Sequence, residues 1–182
     1  MRATVMRVSQ ASVSVRETAL QGPQAPATAV SETVVSETLV GEIGRGLLVL
    51  VGVAREDDAS DVTWMARKLL GMRIFQAPCP AADAPEPARM SASIRDVGGA
   101  ILLVSQFTLF GDLRRGQRPS FSAAAPPAEA EALYLALATA LKASGVRVET
   151  GVFRASMGVS SVNDGPITLW LDSRERDARA SA

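Results

Sequence analysis

The stretch LLVLVGV, residues 47–53, is the part of the sequence that says most about the fold. It is as long as an ordinary β-strand and contains no polar residue, which is typical of a strand buried on both faces. The glycines of the preceding GEIGRG, residues 41–46, predict a turn. We therefore expect a central strand that starts directly after this turn.

The N-terminal side of this strand has a different pattern. Residues 3–15 alternate between apolar and polar side chains, with Val5, Val13 and Val15 set against polar neighbours. This alternation predicts half-buried strands, and we expect two strands to open the fold. Residues 17–38 are rich in Ala, Pro, Thr, Ser and Glu and contain a Gly-Pro, so they predict a loop or a lengthened hairpin tip.

Two helices are predicted on the C-terminal side of the central strand. Asp57 or Asp58 can cap the first, which runs to about Gly71. The prolines at 126–127 open the second, which runs to about Ser144. The apolar positions at helical spacing are Val62, Ala66, Leu69 and Leu70 in the first helix and Leu133, Leu137 and Leu141 in the second. Both helices are expected to cover the sheet with these faces.

The remaining apolar segments predict further strands. AILLVSQFTL, residues 100–109, is a second strongly apolar strand. Residues 146–150, 159–162 and 167–171 complete a strand-rich C-terminal part. Residues 76–88 carry several prolines and predict an exposed loop.

The composition indicates a globular protein. The chain has 182 residues, 47% of them hydrophobic and 21% charged, so residues 1–172 are expected to form one domain with one substantial core. The charged, small-residue tail at 173–182 is expected to be disordered. Nineteen Lys and Arg balance nineteen Asp and Glu, which argues against a strongly basic nucleic-acid coat. No signal peptide or long apolar run is present, so we expect a soluble cytoplasmic protein that contacts no membrane.

The counts of histidine and cysteine exclude several mechanisms. The chain has no histidine and one cysteine, Cys79. Ser-His-Asp and Cys-His catalysis need an imidazole, and Cys/His zinc sites need ligands that this chain lacks. Cys79 lies between two prolines in the predicted loop, and we interpret it as incidental.

Polar residues interrupt the apolar pattern at the end of the second strand. Ser105, Gln106 and Thr108 stand there with Phe107 between them. Two hydroxyls and an amide on a rigid element suit the positioning of a substrate. Local pairing of the hydroxyls with the backbone explains the same residues without any function.

Three other features allow two interpretations each. The segment NDGP at 163–166 predicts a hairpin turn between two strands, although its Gly-Pro can also be a cis bond with a fixed carbonyl direction. Arg114, Arg115 and Arg118 suit phosphate recognition or a solvated loop. The apolar side chains Met157, Phe107 and Phe121 suit a pocket or the core.

Five segments together resemble one known family. They are ASVSV at 11–15, GEIGRGLLVLVGV at 41–53, VSQFTL at 104–109, GQRPSF at 116–121 and VNDGPITLWL at 162–171. In this order and spacing they resemble the bacterial D-aminoacyl-tRNA deacylases, also called D-tyrosyl-tRNA deacylases. The resemblance implies an α/β fold in a single compact domain, with mixed or antiparallel, barrel-like β-sheets covered by two main helices, and a homodimer.

The resemblance also implies an activity and a site. Such a hydrolase cleaves the ester between a D-amino acid, or glycine, and the 3′ end of tRNA and spares L-aminoacyl-tRNA. We expect no cofactor and assign no metal ligand, and the sequence leaves open whether a metal assists. The catalytic residues implied are Ser105, Gln106 and Thr108, and the substrate-binding residues and chiral filter are Gly165, Pro166, Phe107, Met157 and Asn163. The strand end of one subunit faces the Gly-cisPro motif of the other, so the active site is shared.

The absence of histidine is consistent with this chemistry. An aminoacyl ester is already activated, so positioning, oxyanion stabilisation and access of water suffice. The resemblance implies help from the 2′-hydroxyl of the terminal adenosine. A Thr108 nucleophile is the rival mechanism, but the sequence shows no base for it. We expect Thr108 and backbone groups to position the substrate, and Arg114, Arg115 and Arg118 to contact tRNA.

Two segments depart from the family pattern. Residues 17–38 are longer than the usual hairpin, and the extended loop at 76–90 ends in Ala-Arg-Met where many members have Lys-Met-Asn. These departures concern tRNA contacts more than chemistry. Two alternatives stay open: a tRNA-binding module without turnover, and a hydrolase of small D-amino acid esters that is indifferent to RNA.

Overall fold

The computed structural model describes residues 1–19, 33–77 and 90–177, and its central strand is the predicted one. Strand β3 (Gly46–Gly52) lies between β1 (Arg2–Ala19), which is antiparallel to it, and β4 (Ala100–Ser105), which is parallel. Strand β5 (Arg147–Thr150) extends the parallel part beyond β4. The prediction of a central strand is confirmed.

The N-terminal segment forms one long strand, and the prediction of two opening strands is wrong. The first half of β1 pairs with β3, and its second half pairs with β2 (Thr33–Ile43). Strand β6 (Met157–Asp172) lies along nearly all of β1. Nothing in the sequence of β1 indicates the end of a strand. Its alternation of apolar and polar residues therefore continues while its pairing partner changes from β3 to β2. The sheet is mixed, with order β2-β1-β3-β4-β5 and β6 on β1.

The curved sheet has two apolar faces. On one face, Leu47, Val49 and Leu103 pack under the helices. On the other, Val13 and Leu102 belong to a second, smaller core. A methyl group placed on Gly41 of β2 would lie 3.2 Å from Leu102 Cδ1. Strand β2 therefore folds closely over β4 at this point.

Both predicted helices are present. Helix α1 (Ala59–Gly71) begins after Asp58, which forms a capping box with Asp61. Helix α2 (Pro127–Ala143) begins with a proline, and it is followed by Gly145 in the left-handed region at φ 84°. The predicted faces are buried except for Leu133, which is partly buried; Leu69, Leu137 and Leu141 are at 0% exposure. No helix in the described part of the chain is long and apolar enough to cross a membrane.

The structure corrects two strand boundaries that matter for the site. Strand β4 ends at Ser105 instead of Leu109, because Gln106 leaves the extended conformation and residues Phe107–Phe110 form a 3-10 helix. The predicted hairpin at 163–166 is absent, since β6 runs through this segment as one strand with shifts in its register against β1.

Three smaller predictions also need correction. Strand β2 continues to Ile43, so the turn before β3 is only Gly44 and Arg45. The predicted loop at 17–38 starts and ends in strand, and its residues 20–32 lie outside the described residues, as do 78–89 with Cys79. The tail predicted to be disordered begins with a 3-10 helix, Ser173–Asp177, in which Ser173 is fully buried. Residues 178–182 are outside the described part.

Candidate active site

A cavity of about 810 Å³ opens where the parallel strands β3 and β4 end. Its walls come from these strand ends, from the segment that leads into α2, and from the loop before β6. Most lining side chains are apolar, among them Val53, Phe121, Pro126, Phe153 and Met157. A mainly apolar cavity with few polar groups is typical of a small-molecule site.

The polar strand end predicted from the sequence lies at this cavity. Ser105, Gln106 and Phe107 line it, whereas Thr108 is an exposed neighbour that is not part of the wall. The side-chain amide of Gln106 donates a hydrogen bond to Thr108 Oγ1. This contact leaves the Thr108 hydroxyl proton available to a ligand and gives the hydroxyl no base, so Thr108 is arranged as a donor rather than as an activated nucleophile.

Neighbouring backbone groups fix the turn at residues 105–110. The N–H of Gln106 donates to Val51 O at 2.7 Å and so continues the β3–β4 ladder by one bond. The hydrogen bonds that close the 3-10 turn begin with Leu109 N–H to Gln106 O at 3.4 Å. Phe107 and Thr108 come before Leu109 in the chain. Like the first N–H groups of any helix, their N–H groups have no partner inside the turn. Both N–H groups are therefore free of the turn's own hydrogen bonds, and of the two residues Phe107 lines the cavity.

Two residues that sequence reasoning missed brace this turn. Arg2 donates from Nη1 to Leu109 O at 3.2 Å and from Nε to Asp172 at 2.9 Å, and its guanidinium lies 4.8 Å from the Phe110 ring centre. Gly52 lies beneath the turn, because a methyl group there would come within 2.8 Å of Gln106 O. Arg2 has no sequence signal, but a glycine inside an apolar strand is a known sign of close backbone approach.

The wall formed by α2 contains a neutral phenol. Tyr134 is buried and donates from its hydroxyl to Leu103 O at 2.9 Å. Burial raises the pKa of Tyr134 to about 12, so this group does not act as a base near neutral pH. Its ring lies 5.9 Å from that of Phe153. The two rings are tilted by 39° and together provide an apolar part of the cavity wall.

The charge of the cavity is positive. Among the described residues that line it, Arg55 and Arg154 are charged and none is acidic. The described part of the chain holds no cluster of three or more His, Cys, Asp or Glu side chains that could bind a metal ion. The arrangement can bind and polarise a carbonyl group, but it contains no strong side-chain base.

The segment at 163–166 lies apart from this cavity within one subunit. None of its residues lines the wall, and the Gly165–Pro166 bond is cis, which the sequence left open. Arg7, another residue that the sequence did not single out, holds the segment with Nε 3.0 Å from Asp164 Oδ2 and Nη1 2.7 Å from Ile74 O. Asn163 accepts from Ile167 N–H at 3.1 Å and donates to Thr168 Oγ1 at 2.8 Å, so its hydrogen bonds fix the segment itself.

The arginine loop is anchored beside the cavity. A short bridge between Asp112 and Ser120 closes it, and Phe121 directly after it packs edge-on against Phe107 at 5.0 Å. Arg114 pairs with Asp112 at 2.6 Å, and its hydrogen bonds lower the pKa of Asp112 to about 2. The remaining arginines of the loop, Arg115 and Arg118, are exposed.

The fold and the cavity define a class of protein: a mixed, curved sheet with two helices, and an apolar site at the end of two parallel strands. The family model for D-Tyr-tRNA(Tyr) deacylase matches residues 4–172. The chain belongs to this family, and the resemblance inferred from the sequence is confirmed. The expected α/β single domain with two main helices is confirmed as well.

Individual relatives agree with this assignment. A protein of Anaeromyxobacter dehalogenans (strain 2CP-C) named D-aminoacyl-tRNA deacylase is 49% identical over 96% of this chain and 98% of its own. A protein of Thermotoga petrophila with the same name is 46% identical over 95% of this chain and 97% of its own.

Two solved structures share the fold. The "c-Myc DNA Unwinding Element Binding Protein" has a TM-score of 0.72 and 32% identity over 94% of this chain and 98% of its own. A probable eukaryotic D-amino acid tRNA deacylase has a TM-score of 0.65 at 18% identity, over 93% of this chain and 97% of its own, and this second likeness concerns the fold alone.

Proposed function

We propose that this protein hydrolyses the ester bond of D-aminoacyl-tRNA and of mischarged glycyl-tRNA, and so releases free tRNA and the amino acid. The observation that carries the proposal is the cavity of about 810 Å³ whose end wall is the turn at Ser105, Gln106 and Phe107. The volume suits an amino acid together with the nucleoside that bears it. The names of the relatives support the same activity.

The reaction needs little from side chains. Water attacks the carbonyl carbon, and the oxygen that becomes negative is stabilised by the N–H groups of Phe107 and Thr108 at the start of the 3-10 helix. The bond to the ribose oxygen then breaks, with a proton returned to that oxygen. The neighbouring 2′-hydroxyl of the terminal adenosine assists this step. Thr108 and Gln106 orient the ester through their polar side chains.

We propose a homodimer in which each active site is shared. The exposed apolar side chains of β6 support it: Val159, Val162, Leu169 and Trp170 are 37–49% exposed. Strand β6 pairs with β1 on one side only within the described residues. A long, apolar edge strand of this kind is a template for pairing with a second copy.

Chiral selection then comes from the segment at 163–166. In the dimer, Gly165 and Pro166 of the partner subunit face the cavity and occupy the position that an L side chain would need, while a D side chain or glycine fits. Rejection depends on the direction of the side chain, so the enzyme discriminates D from L and tolerates many side chains. The contacts of Arg7 with Asp164 support a fixed position for this segment.

Deacylation of matched D-Tyr-tRNA and L-Tyr-tRNA tests the proposal, with a chelator-treated sample alongside. We expect rapid loss of the D ester in both samples and no acceleration for the L ester. A binding module without turnover would slow the spontaneous hydrolysis of both esters. A hydrolase of small esters would cleave D-tyrosine methyl ester as efficiently as the tRNA ester. Either of these results would overturn the proposed function.

A further inference from the structure

The cavity contains two arginines to which neither the family names nor the sequence motifs assign a role. Arg55 follows β3, and Arg154 lies in the loop between β5 and β6. Both line the cavity, and no lining residue among those described is acidic. A cavity with two positive charges and no carboxylate favours an anionic ligand.

Arg55 is held with part of its guanidinium free. Its Nε donates to Ser122 O at 2.7 Å, and its backbone N–H donates to Ala123 O at 3.4 Å. These bonds attach Arg55 to the segment that leads into α2. The terminal nitrogens form no ion pair within the described residues, so they can bind a ligand in a fork geometry.

Arg154 has a backbone conformation that is unusual for its type. Its φ is 64°, and it is the only residue other than glycine with a positive φ in the described part of the chain. It lies in a turn closed by Ala155 N–H to Val152 O at 3.2 Å, where glycine or asparagine is the ordinary choice. A strained residue at the edge of a site is an indication of function. Here the strain places a cation at the cavity.

The arginines elsewhere in the described part of the chain are of both kinds. Arg2, Arg7 and Arg114 each have an acidic partner within 3.0 Å, whereas Arg115 and Arg118 have none. For Arg55 and Arg154, no acidic partner lies within the described residues. Two unneutralised guanidinium groups beside one cavity are therefore a local feature in a chain with zero net charge.

We infer that Arg55 and Arg154 form a phosphate clamp that binds the phosphodiesters next to the terminal nucleotide of the substrate. The inference rests on the proposed function, and it names the part of the substrate that this surface recognises. The amino acid ester and the nucleoside carry no negative charge, so the phosphates are the anions of the acceptor end. The planar guanidinium matches a phosphate with two parallel hydrogen bonds.

Substrates of increasing length test the clamp. We would compare 3′-O-D-tyrosyl adenosine, the D-tyrosyl ester of the trinucleotide CCA, and D-Tyr-tRNA. The variants are Arg55→Gln, Arg154→Asn and the double substitution, where asparagine accepts the left-handed backbone and removes the guanidinium group. Arg67→Gln is the matched control, because Arg67 is exposed on α1 and does not line the cavity.

We expect the variants to lose activity only on the substrates that contain phosphates. Each single substitution lowers kcat/KM roughly tenfold on the trinucleotide and on tRNA, the size expected for one charge-assisted contact, and leaves the adenosine ester within about twofold of the wild type. The slope of log kcat/KM against log salt becomes shallower by about 0.7 for each lost contact. Arg67→Gln changes none of these values.

The outcomes separate the clamp from the proposed function. If the wild type cleaves none of the three esters, the proposed function is wrong. Binding of uncharged CCA, followed by fluorescence anisotropy, then tests the clamp by itself, and equal affinity in the wild type and the double variant overturns it. If the wild type cleaves all three but the variants lose the same factor on each, the arginines act at the reacting end and the clamp is also overturned.

Discussion

The turn at residues 105–110 and the segment at 163–166 are held in opposite ways. The turn is braced from inside its own subunit, by Val51 and Gly52 of β3 and by Arg2 of β1. The segment at 163–166 lies on an exposed strand and is held from one side, mainly by Arg7. One half of the proposed site is therefore complete within the chain, whereas the other half lies on the surface, where we propose that it meets a partner subunit.

The largest effect is expected from a methyl group under the turn. In Gly52→Ala, the new Cβ would lie 2.8 Å from Gln106 O and 2.9 Å from Phe110 Cε2, so the backbone of the turn must move. A displacement of this kind lowers kcat about 100-fold, and the overpacking lowers the free energy of unfolding by about 1–3 kcal/mol. Deacylation of D-Tyr-tRNA and thermal unfolding measure the two effects.

A second glycine provides the control for this prediction. A methyl group on Gly71, the last residue of α1, meets nothing within 4 Å. Gly71→Ala should keep full activity and unfold at the same temperature or slightly higher. Full activity in Gly52→Ala would show that the turn does not need its present position.

The second-largest effect is expected from a substitution in the segment at 163–166. Gly165 has φ 125°, and a methyl group there would lie 2.9 Å from Ile167 Cγ1 and 3.0 Å from Arg7 Nη2. Gly165→Ala therefore shifts the segment, and we expect roughly a tenfold loss of activity on D-Tyr-tRNA, or a matching loss of D/L discrimination. Both esters are measured with the same enzyme preparation, and the unfolding midpoint shows that the fold is retained.

Mixing the two variants tests whether the halves meet across subunits. In a shared site, a mixed dimer of Gly52→Ala and Gly165→Ala chains has one site with both changes and one with neither. Equal co-expression gives mixed dimers in about half of the population, so about a quarter of wild-type activity returns. Activity that stays at the average of the two separate variants would place the whole site in one chain.

A smaller effect is expected from substituting Arg2, which braces the turn at residues 105–110. Burial raises the pKa of Asp172, but hydrogen bonds from Arg174 N–H and from Arg2 outweigh it, so the pKa lies below its ordinary value of 3.8. A lowered pKa stabilises the fold above about pH 4, and this stabilisation is lost as the pH falls through the folded-state pKa. Arg2→Gln should lower the free energy of unfolding at pH 7 by about 1–3 kcal/mol.

The pH profile of Arg2→Gln distinguishes this pair from a general loss of packing. The variant should lose less stability than the wild type between pH 5 and pH 3, because Asp172 no longer gains from Arg2 when it is ionised. Arg174→Gln is the control, since its ion pair with Glu56 is exposed. Parallel pH profiles for Arg2→Gln and the wild type would contradict the role of the pair.

The smallest effects are expected in the arginine loop. Arg114 is neutralised by Asp112, whereas Arg118 is exposed and unpaired within the described residues. We expect Arg118→Gln to raise KM for D-Tyr-tRNA about twofold to threefold, as for one weak phosphate contact, and Arg114→Gln to leave it unchanged. A larger change in Arg114→Gln than in Arg118→Gln would mean that the ion pair opens when tRNA binds.

Prediction from the sequence worked where the signal is local. The apolar run of β3, the capping aspartate of α1 and the proline start of α2 all formed as predicted, because each depends on neighbouring residues. The apolar pattern predicts a strand to Leu109, but β4 ends at Ser105, since Phe107 and Leu109 continue that pattern while the chain already turns. The hairpin expected at 163–166 was wrong because β6 stays paired with β1 through the irregularity.

The sequence alone was enough to predict the α/β class, the two helices, the family, and the polar segment with Ser105, Gln106 and Thr108. The three-dimensional fold was needed to show that Ser105, Gln106 and Phe107 line a cavity but Thr108 does not, and that Arg55 and Arg154 line the same cavity. It was also needed to show that Arg2 and Gly52 brace the turn and that Gly165 lies apart from the cavity. The physical reason is that periodicity and capping act over a few residues, whereas these contacts join residues far apart in the chain. They arise only when the paired strands bring those residues together.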